Sequence, residues 1–481
     1  FSGSAPLLRI QASVRPQIFG SRVLSGVSVA VIGAGLAGLR TASELSRAGY
    51  EVTVLEGLSV VGGSAAGSFR DGFSLDGTLP LVRSSDRALI SWIEQSELSA
   101  SLLPPRACID SQIHRGEIGP IDTSTLSDLA KIPGVTTWDK KRLLRLPRLM
   151  ARYRAQLDPD RPELAANLDY RSARDFATLY LGKSVWDYWV SPETTSQYAS
   201  DEMELSRVAF LLSRMTSREG KVALGVMRQG LWQLAERAAS RLNVVHDLWA
   251  DEVTERGDGG YQVHCSFATE DGETHAQKRP RAIDVDAVVV ATSPEAAGEI
   301  AGPVLVPAER DYFARYRGGP SMSLVLALSA PLAHYAKFVR VPKAEASTIE
   351  CYLSECGAAD GRAPDGKGLV MIRANERFAS ANSSAADDVV EKSLLASFSR
   401  FHPEVRDRVL FTRLRRTQTG NPNFHVGAYR ELARLARVQE DRGAAGRRIY
   451  FAGDYLIGPG PNQVVSSGMR AAAALRAHFE G

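Results

Sequence analysis

Three glycines, one acid and a second glycine pair near the start of the chain have the spacing to hold a dinucleotide. In "VSVAVIGAGLAGLRTASELSRAGYEVTVLEG", which begins at Val27, Gly33, Gly35 and Gly38 make a GxGxxG and Glu56 follows. Gly33 permits a tight turn, Gly35 lets backbone approach a pyrophosphate, and Gly38 lets a helix lie close on a strand. Around Ala34 the helix start offers unpaired N–H groups and a positive dipole end to the phosphates. Glu56 is placed to accept from ribose hydroxyls, and its charge would repel a 2′-phosphate, which leaves NAD or FAD.

A second constellation closes the chain, in "RRIYFAGDYLIGPGPNQVVSSGMRAAAALRAHF". Asp454, after Gly453, can accept from a ribityl hydroxyl. Val464 and Val465 open a helix rich in small residues, whose end can support negative charge on a reduced flavin. Asn462 would stand at the pocket rim. No histidine, cysteine or serine arrangement has metal or triad spacing. The eight histidines are scattered, with His425 the best placed as a base.

The elements follow from pattern. "VSVAVIG" reads as a buried parallel strand, "LRTASELSRAG" as a helix with Leu39, Ala42 and Leu45 on one side, and "YEVTVLE" as a second strand. This strand, glycine turn, helix and strand supply the context that the glycine fingerprint requires. "RIYFAGD" and "SMSLVLALSAPL" read as strands, the latter lining a sheet below the flavin. "NERFASANSSAADDVVEK" reads as a loop ahead of an amphipathic helix.

After Glu56 come Gly62, Gly63 and Ser64, then a "DGFSLDGT" hairpin. A second glycine turn there resembles flavoproteins of the glutathione-reductase-like group and favours FAD. The GxGxxG with its Glu, the "VGGS" turn, "VDAVVVATSPEAA" and the terminal "YFAGD…SSGMRAA" together resemble the flavin-containing amine oxidase superfamily, from Val27 to about Phe479. That group includes protoporphyrinogen oxidase, phytoene-type desaturases and monoamine oxidases; the middle segments look most like the first two.

The resemblance implies an α/β fold: a doubly wound FAD-binding domain from residues 27–100, 225–300 and 410–481, with an inserted α+β substrate domain from 101–224 and 301–409. Val253 joins the cofactor contacts within the second of the FAD segments. The implied chemistry is hydride transfer from a hydrophobic organic substrate to flavin N5, with molecular oxygen or another acceptor reoxidising the flavin. Two departures matter. Many relatives carry Arg after the paired glycines, where it reaches the pyrophosphate, and here the position is Ser64. Monoamine oxidases carry an aromatic cage and a flavin-linked cysteine; Gly460 stands in place of one aromatic and no cysteine stands in "TQTGNPNFHVGAY". The FAD is therefore expected to be non-covalent and an amine substrate disfavoured, although Phe424 offers a partial cage wall and Arg83 could meet a substrate carboxylate. An amine or amino-acid oxidase, and a non-enzymatic relative binding lipid-bearing partners, are the rival readings.

The remaining bounds are broad. A 481-residue chain with 44% hydrophobic and 23% charged residues has an ordinary globular composition. A formal net charge of +3 is too balanced to argue for nucleic acid. Lys140 to Arg154 alternate basic and apolar residues around Pro147, a solvated amphipathic helix or a peripheral contact with anionic lipid. Residues 1–26 form an N-terminal extension. Their arginines and serines, without an acid, have transit-peptide character, so an organelle is the alternative to a cytoplasmic location.

Overall fold

The protein, as a computed structural model, is described over residues 26–102, 108–198, 205–216, 224–267, 281–316, 318–333, 336–355 and 361–480. Nearly all of the N-terminal extension lies outside these residues. Ser28–Ile32 forms β1, Leu36–Arg47 forms α1 and Glu51–Leu55 forms β2. A five-stranded parallel sheet has the order Ile449–Phe451, Ala287–Val290, β1, β2, Asn243–Val245. Its strands come from separated parts of the chain. Both faces of β1 are covered: Val29 and Val31 pack with α1 and the helix Pro461–Glu480, while Ala30 and Ile32 meet an antiparallel layer that includes Val263 and Val285. A strand buried on both faces must be apolar throughout, which is why this one does not alternate.

The second sheet has seven strands, in the order Val409–Asn421, Gly319–Leu328, Gly368–Ala374, Ile349–Glu355, Ala336–Arg340, Cys108–His114, Glu117–Pro120. Strand Val409–Asn421, grouped by sequence with the cofactor-side segment that begins at 410, pairs here with Gly319–Leu328. Its charged residues hid the pairing: Arg413 and Arg415 share one face, and Arg416 on the other bonds to the Asn382 and Ser383 carbonyls. Register divides the sheet cleanly. Met322, Leu324, Tyr352, Val370 and Ile372 form an apolar face with residues of the helices Glu376–Ala381 and Asp387–Phe398. Ser321, Ser323, Arg373, Arg415 and Thr417 share the opposite face, toward the first sheet. The stretch expected as a loop at 375–392 is largely helical. Asn375 caps the first of these helices, accepting from Phe378 N at 2.9 Å, so its polar residues mark a helix start.

The basic segment folds into short helices, including Thr137–Arg142 and Leu146–Tyr153. Pro147 lies in the first turn of the latter, where a missing N–H costs nothing. Leu143, Leu146 and Met150 are buried, while Trp138 and Leu144 face outward. No helix among the described residues is long and apolar enough to cross a membrane.

A buried ion cluster ties the hairpin after the second glycine turn to the seven-stranded sheet. Arg362 donates to Asp76 and Glu355, and to the Met227 carbonyl at 2.8 Å. Burial pushes the Asp76 carboxyl up, and Arg362 opposes that push. Arg362→Met would leave two buried carboxylates unpaired, a loss of about 3–5 kcal/mol. Chemical denaturation should report that loss. It should shrink as pH falls, because burial already pushes the Asp76 carboxyl up and, once orphaned, it takes up a proton in the folded state. A variant as stable as the parent would show that the cluster does not hold the hairpin to the sheet.

Candidate functional site

The first glycine turn is built by contacts that leave no room for side chains. Gly33 has φ +101°, and a Cβ there would lie 2.7 Å from the Ala291 carbonyl oxygen. A Cβ at Gly38 would lie 2.0 Å from the Gly33 carbonyl oxygen, so α1 can sit on β1 only without one. Gly35 differs: a Cβ there meets nothing within 4 Å, and it faces open space at the start of α1. No side chain caps that helix and no acid stands in its first turn. Its first N–H groups are left for an anion. The second turn closes against the first. Gly62 N donates to the Ala34 carbonyl at 2.8 Å, and a Cβ on Gly63 would approach Gly35 Cα to 3.2 Å.

Glu56 has a structural task besides the expected one. Its Oε2 accepts from Ala34 N at 2.7 Å and its Oε1 from Leu58 N at 3.0 Å. The carboxylate thus pins the glycine turn to the end of β2 and keeps lone pairs for further donors. The backbone of Glu56 also bonds to Val245 and Leu248. This brings Trp249 against Gly57, where a Cβ would fall 2.6 Å from the indole. Trp249 is 46% exposed, and an aromatic face beside a ribose acceptor is what a flat base stacks on.

Val253, the expected contact from this strand, is instead wholly buried among Val263, Val285 and Ile32. A bulge between Ala250 and Glu252 reverses the side-chain alternation of Leu248–Glu255. Trp249 therefore points outward and Val253 inward. Sequence alternation alone gives the two the same face.

The far wall comes from the end of the chain. Gly453 N donates to Ser467 Oγ at 2.9 Å, which fastens the strand end to the helix behind it. That helix begins at Pro461, not at Val464, because proline suits the first helical position. Asp454, Gly460, Gln463 and Val464 line a cleft with Leu36 and Ser64 of the glycine turns. Val465 lies behind it, fully buried. Asn462 is turned away: its Oδ1 accepts from Leu89 N at 3.1 Å, bracing the start of the helix Arg87–Gln95. Phe424 is buried and stacked on Tyr429 with centroids 5.0 Å apart, and it does not line the cleft. His425 does not line it either. Arg83 does, together with Leu79, Leu81, Phe338 and Met371.

These features fit FAD. Bare backbone at Gly35 and a free helix end suit the diphosphate. Glu56 and Asp454 suit hydroxyls, and Trp249 suits the adenine. Desolvation pushes the Asp454 carboxyl up to about 6. The residues that sequence reasoning missed are Trp249, Ser467 and Arg415. The alternation of "FTRLRRTQT" does signal one polar face for Arg413, Arg415 and Thr417, but nothing local says which sheet it opposes.

Two outcomes are expected from cofactor titrations of the apoprotein. Glu56→Gln should weaken FAD binding by roughly 1–2 kcal/mol, since the amide has one acceptor oxygen for the work of two charged ones. Gly35→Val should weaken it further by filling the open space. Unchanged affinity in both variants would place the phosphates elsewhere. The second outcome concerns pH. The folded Asp454 pKa lies above its ordinary 3.8, so this group lowers apoprotein stability as pH rises from about 4 to about 6 and adds nothing further above that. A ribityl hydroxyl donating to the carboxylate favours the ionised form. FAD affinity should therefore rise through about pH 6, and Asp454→Asn should flatten that rise. A profile identical in both proteins would remove Asp454 from the site.

Residues 36–476 match the flavin containing amine oxidoreductase family. Among solved structures the chain is similar to a protein from Exiguobacterium sp. 255-15 named as a candidate protoporphyrinogen oxidase, with TM-score 0.70 and 16% identity over 95% of this chain and 100% of that one. It is similar to putrescine oxidase bound to putrescine, with TM-score 0.70 and 18% identity over 94% and 99% of the two chains. A fatty acid isomerase from P. acnes that produces CLA aligns with TM-score 0.67 and 15% identity over 95% and 100%. No curated protein matches the chain by sequence. At these identities the solved structures speak for the fold, whereas the family match runs from the start of α1 through the second glycine turn and into the terminal helix. The chain belongs to the flavin-containing amine oxidoreductases and is an FAD-dependent oxidoreductase.

Proposed function

We propose that this oxidoreductase acts on a largely apolar organic molecule that carries an acidic group, of the protoporphyrinogen kind, and not on a cationic amine. The observation that carries this reading is the lining of the cleft. Its charged members are Arg83, Arg373 and Arg415 against Asp86 and Asp454, and Phe338 is its one aromatic among the described residues. A protonated amine entering here meets cations and finds no paired rings to receive it.

The arginines are not equivalent. Arg373 is held by Glu350 and by the Ser196 carbonyl. Arg415 lies at the glycine turn. Arg83 forms no salt bridge among the described residues, although Asp86 and Asp110 are near enough to feel its charge. Asp86 itself accepts from Arg83 N at 2.8 Å, which fixes the turn that carries the guanidinium. Leu79, Leu81, Phe338 and Met371 give the apolar walls. A polyene would use these walls but would leave Arg83 without a partner.

When bound, FAD supplies a two-electron oxidation, with molecular oxygen or another acceptor taking the electrons onward. The chain orients the substrate by its acid at Arg83 and by its apolar body on the walls. No cysteine lines the cleft among the described residues, so acid precipitation should release FAD to the supernatant.

Anaerobic bleaching of the bound flavin tests the substrate. Acid-bearing porphyrinogens are expected to bleach it and simple primary amines are not. Esterifying the substrate acids should raise KM about tenfold, the scale of one charge-assisted hydrogen bond. Arg83→Ala should reproduce that rise on the acid and leave the ester unaffected. Rapid bleaching by primary amines, or equal turnover of acid and ester, would overturn the reading.

A further inference from the structure

We propose that Arg415 is the cation of the FAD site, delivered by the seven-stranded sheet, and that it pairs with the cofactor's diphosphate. The inference rests on the FAD binding that family membership supplies, and it does not depend on the substrate.

The glycine turns bring no positive side chain of their own. Ser64 is neutral, and the nearest acid, Glu56, is negative. A diphosphate carries two negative charges, and a helix end offers only about half a unit of positive charge to meet them. Arg415 comes to the same turn from across the cleft. It lies on the polar face of Val409–Asn421, opposite Ser323. Its Nη1 donates to the Ala66 carbonyl at 2.8 Å and its Nη2 to the Gly63 carbonyl at 2.9 Å. Gly63 in turn is the residue packed against Gly35. The guanidinium is therefore at the phosphate end of the cleft, beside Leu36 and Ser64.

Its surroundings lack an anion. Arg415 is half-buried and has no carboxylate partner among the described residues. Burial, and after it the neighbouring Arg413, hold its pKa below the usual guanidinium value. Two carbonyls occupy part of its five-donor fork and leave donors to spare. The path to the turn is also kept clear. A Cβ at Gly77 would fall 1.6 Å from Arg415 Nη1, and 2.4 Å from the same Ala66 oxygen. A bare residue at 77 is what allows this side chain to reach the turn.

FAD titration of the apoprotein by fluorescence, at low and high salt, tests the assignment. Arg415→Gln retains an amide donor for the carbonyls and removes the charge. It should weaken FAD binding about tenfold or more and reduce the salt dependence. Adding Ser64→Arg to that variant should recover most of the affinity, because a cation returns to the same turn. The melting temperature of each apoprotein reports whether the fold is intact. FAD binding by R415Q within about twofold of the parent, or no recovery in the double variant, would overturn the proposal. So would a loss confined to substrate KM, which would make Arg415 a substrate contact. Should the variants not fold, the parent alone decides: its FAD affinity must fall with added salt, and a flat profile rejects the pairing.

Discussion

Everything in the cofactor half depends on three places where backbone meets backbone with no Cβ between. Gly38 lets α1 settle on the end of β1, Gly63 lets the second turn close on Gly35, and Gly468 lets the terminal helix touch Ala37. A Cβ at Gly468 would stand 2.4 Å from the Ala37 oxygen. Thr41 completes this last contact, with its hydroxyl donating to the Ala37 and Gly468 carbonyls. The first and last segments of the chain are thus locked to each other at the glycine turn. The cofactor cradle forms only when chain ends more than 400 residues apart have met. Such a site is a product of tertiary closure and not of one motif.

The second constraint is polarity across a sheet. The seven-stranded sheet packs one face on helices. Its other face is shared between the cleft, at Ser321, Ser323, Arg373 and Arg415, and apolar contacts in which Val325, Ala327 and Leu369 meet Phe73 and Leu75. One sheet is thus a buried platform, and part of the other is a chemical wall. Arg362 joins the hairpin after the second glycine turn to the seven-stranded sheet without entering the cleft, and its two acids keep a full charge buried where an unpaired one would be expelled. The hairpin is therefore held to the wall by a cluster separate from the residues proposed to meet cofactor and substrate.

The cofactor unit was legible in sequence because glycine spacing, helix period and acid position all report one local geometry. β1, α1, β2 and the paired glycines fall where the pattern puts them. The middle was less legible. Strand Val409–Asn421 carries so many arginines that its membership of a sheet shows only once its partner Gly319–Leu328 is known. Val253 and Trp249 were exchanged by a single bulge, which no local residue announces. Asn462 reads as a pocket residue from its place in the loop beside Gly460, and Phe424 as a partial cage wall from the resemblance to monoamine oxidases. One is bound to Leu89, 373 residues away, and the other is stacked on Tyr429. Sequence neighbourhood fixes which segment a residue belongs to; packing fixes which way it turns.

The distribution of charge around the cleft follows the parts of the ligand it would meet. Glu56 and Asp454 are acceptors, and hydroxyl-bearing sugar and ribityl groups are donors. The helix start is a donor end without a full charge, and a diphosphate needs more. The glycine turn carries no cation of its own, since Ser64 stands where many relatives have Arg. A cation on the opposing sheet can take that place. It can reach the turn only when the two sheets are assembled, and only past a residue without a side chain. Assembly of the wall and completion of the phosphate site then become a single event, so a chain whose second sheet is misplaced would also lose its hold on the cofactor.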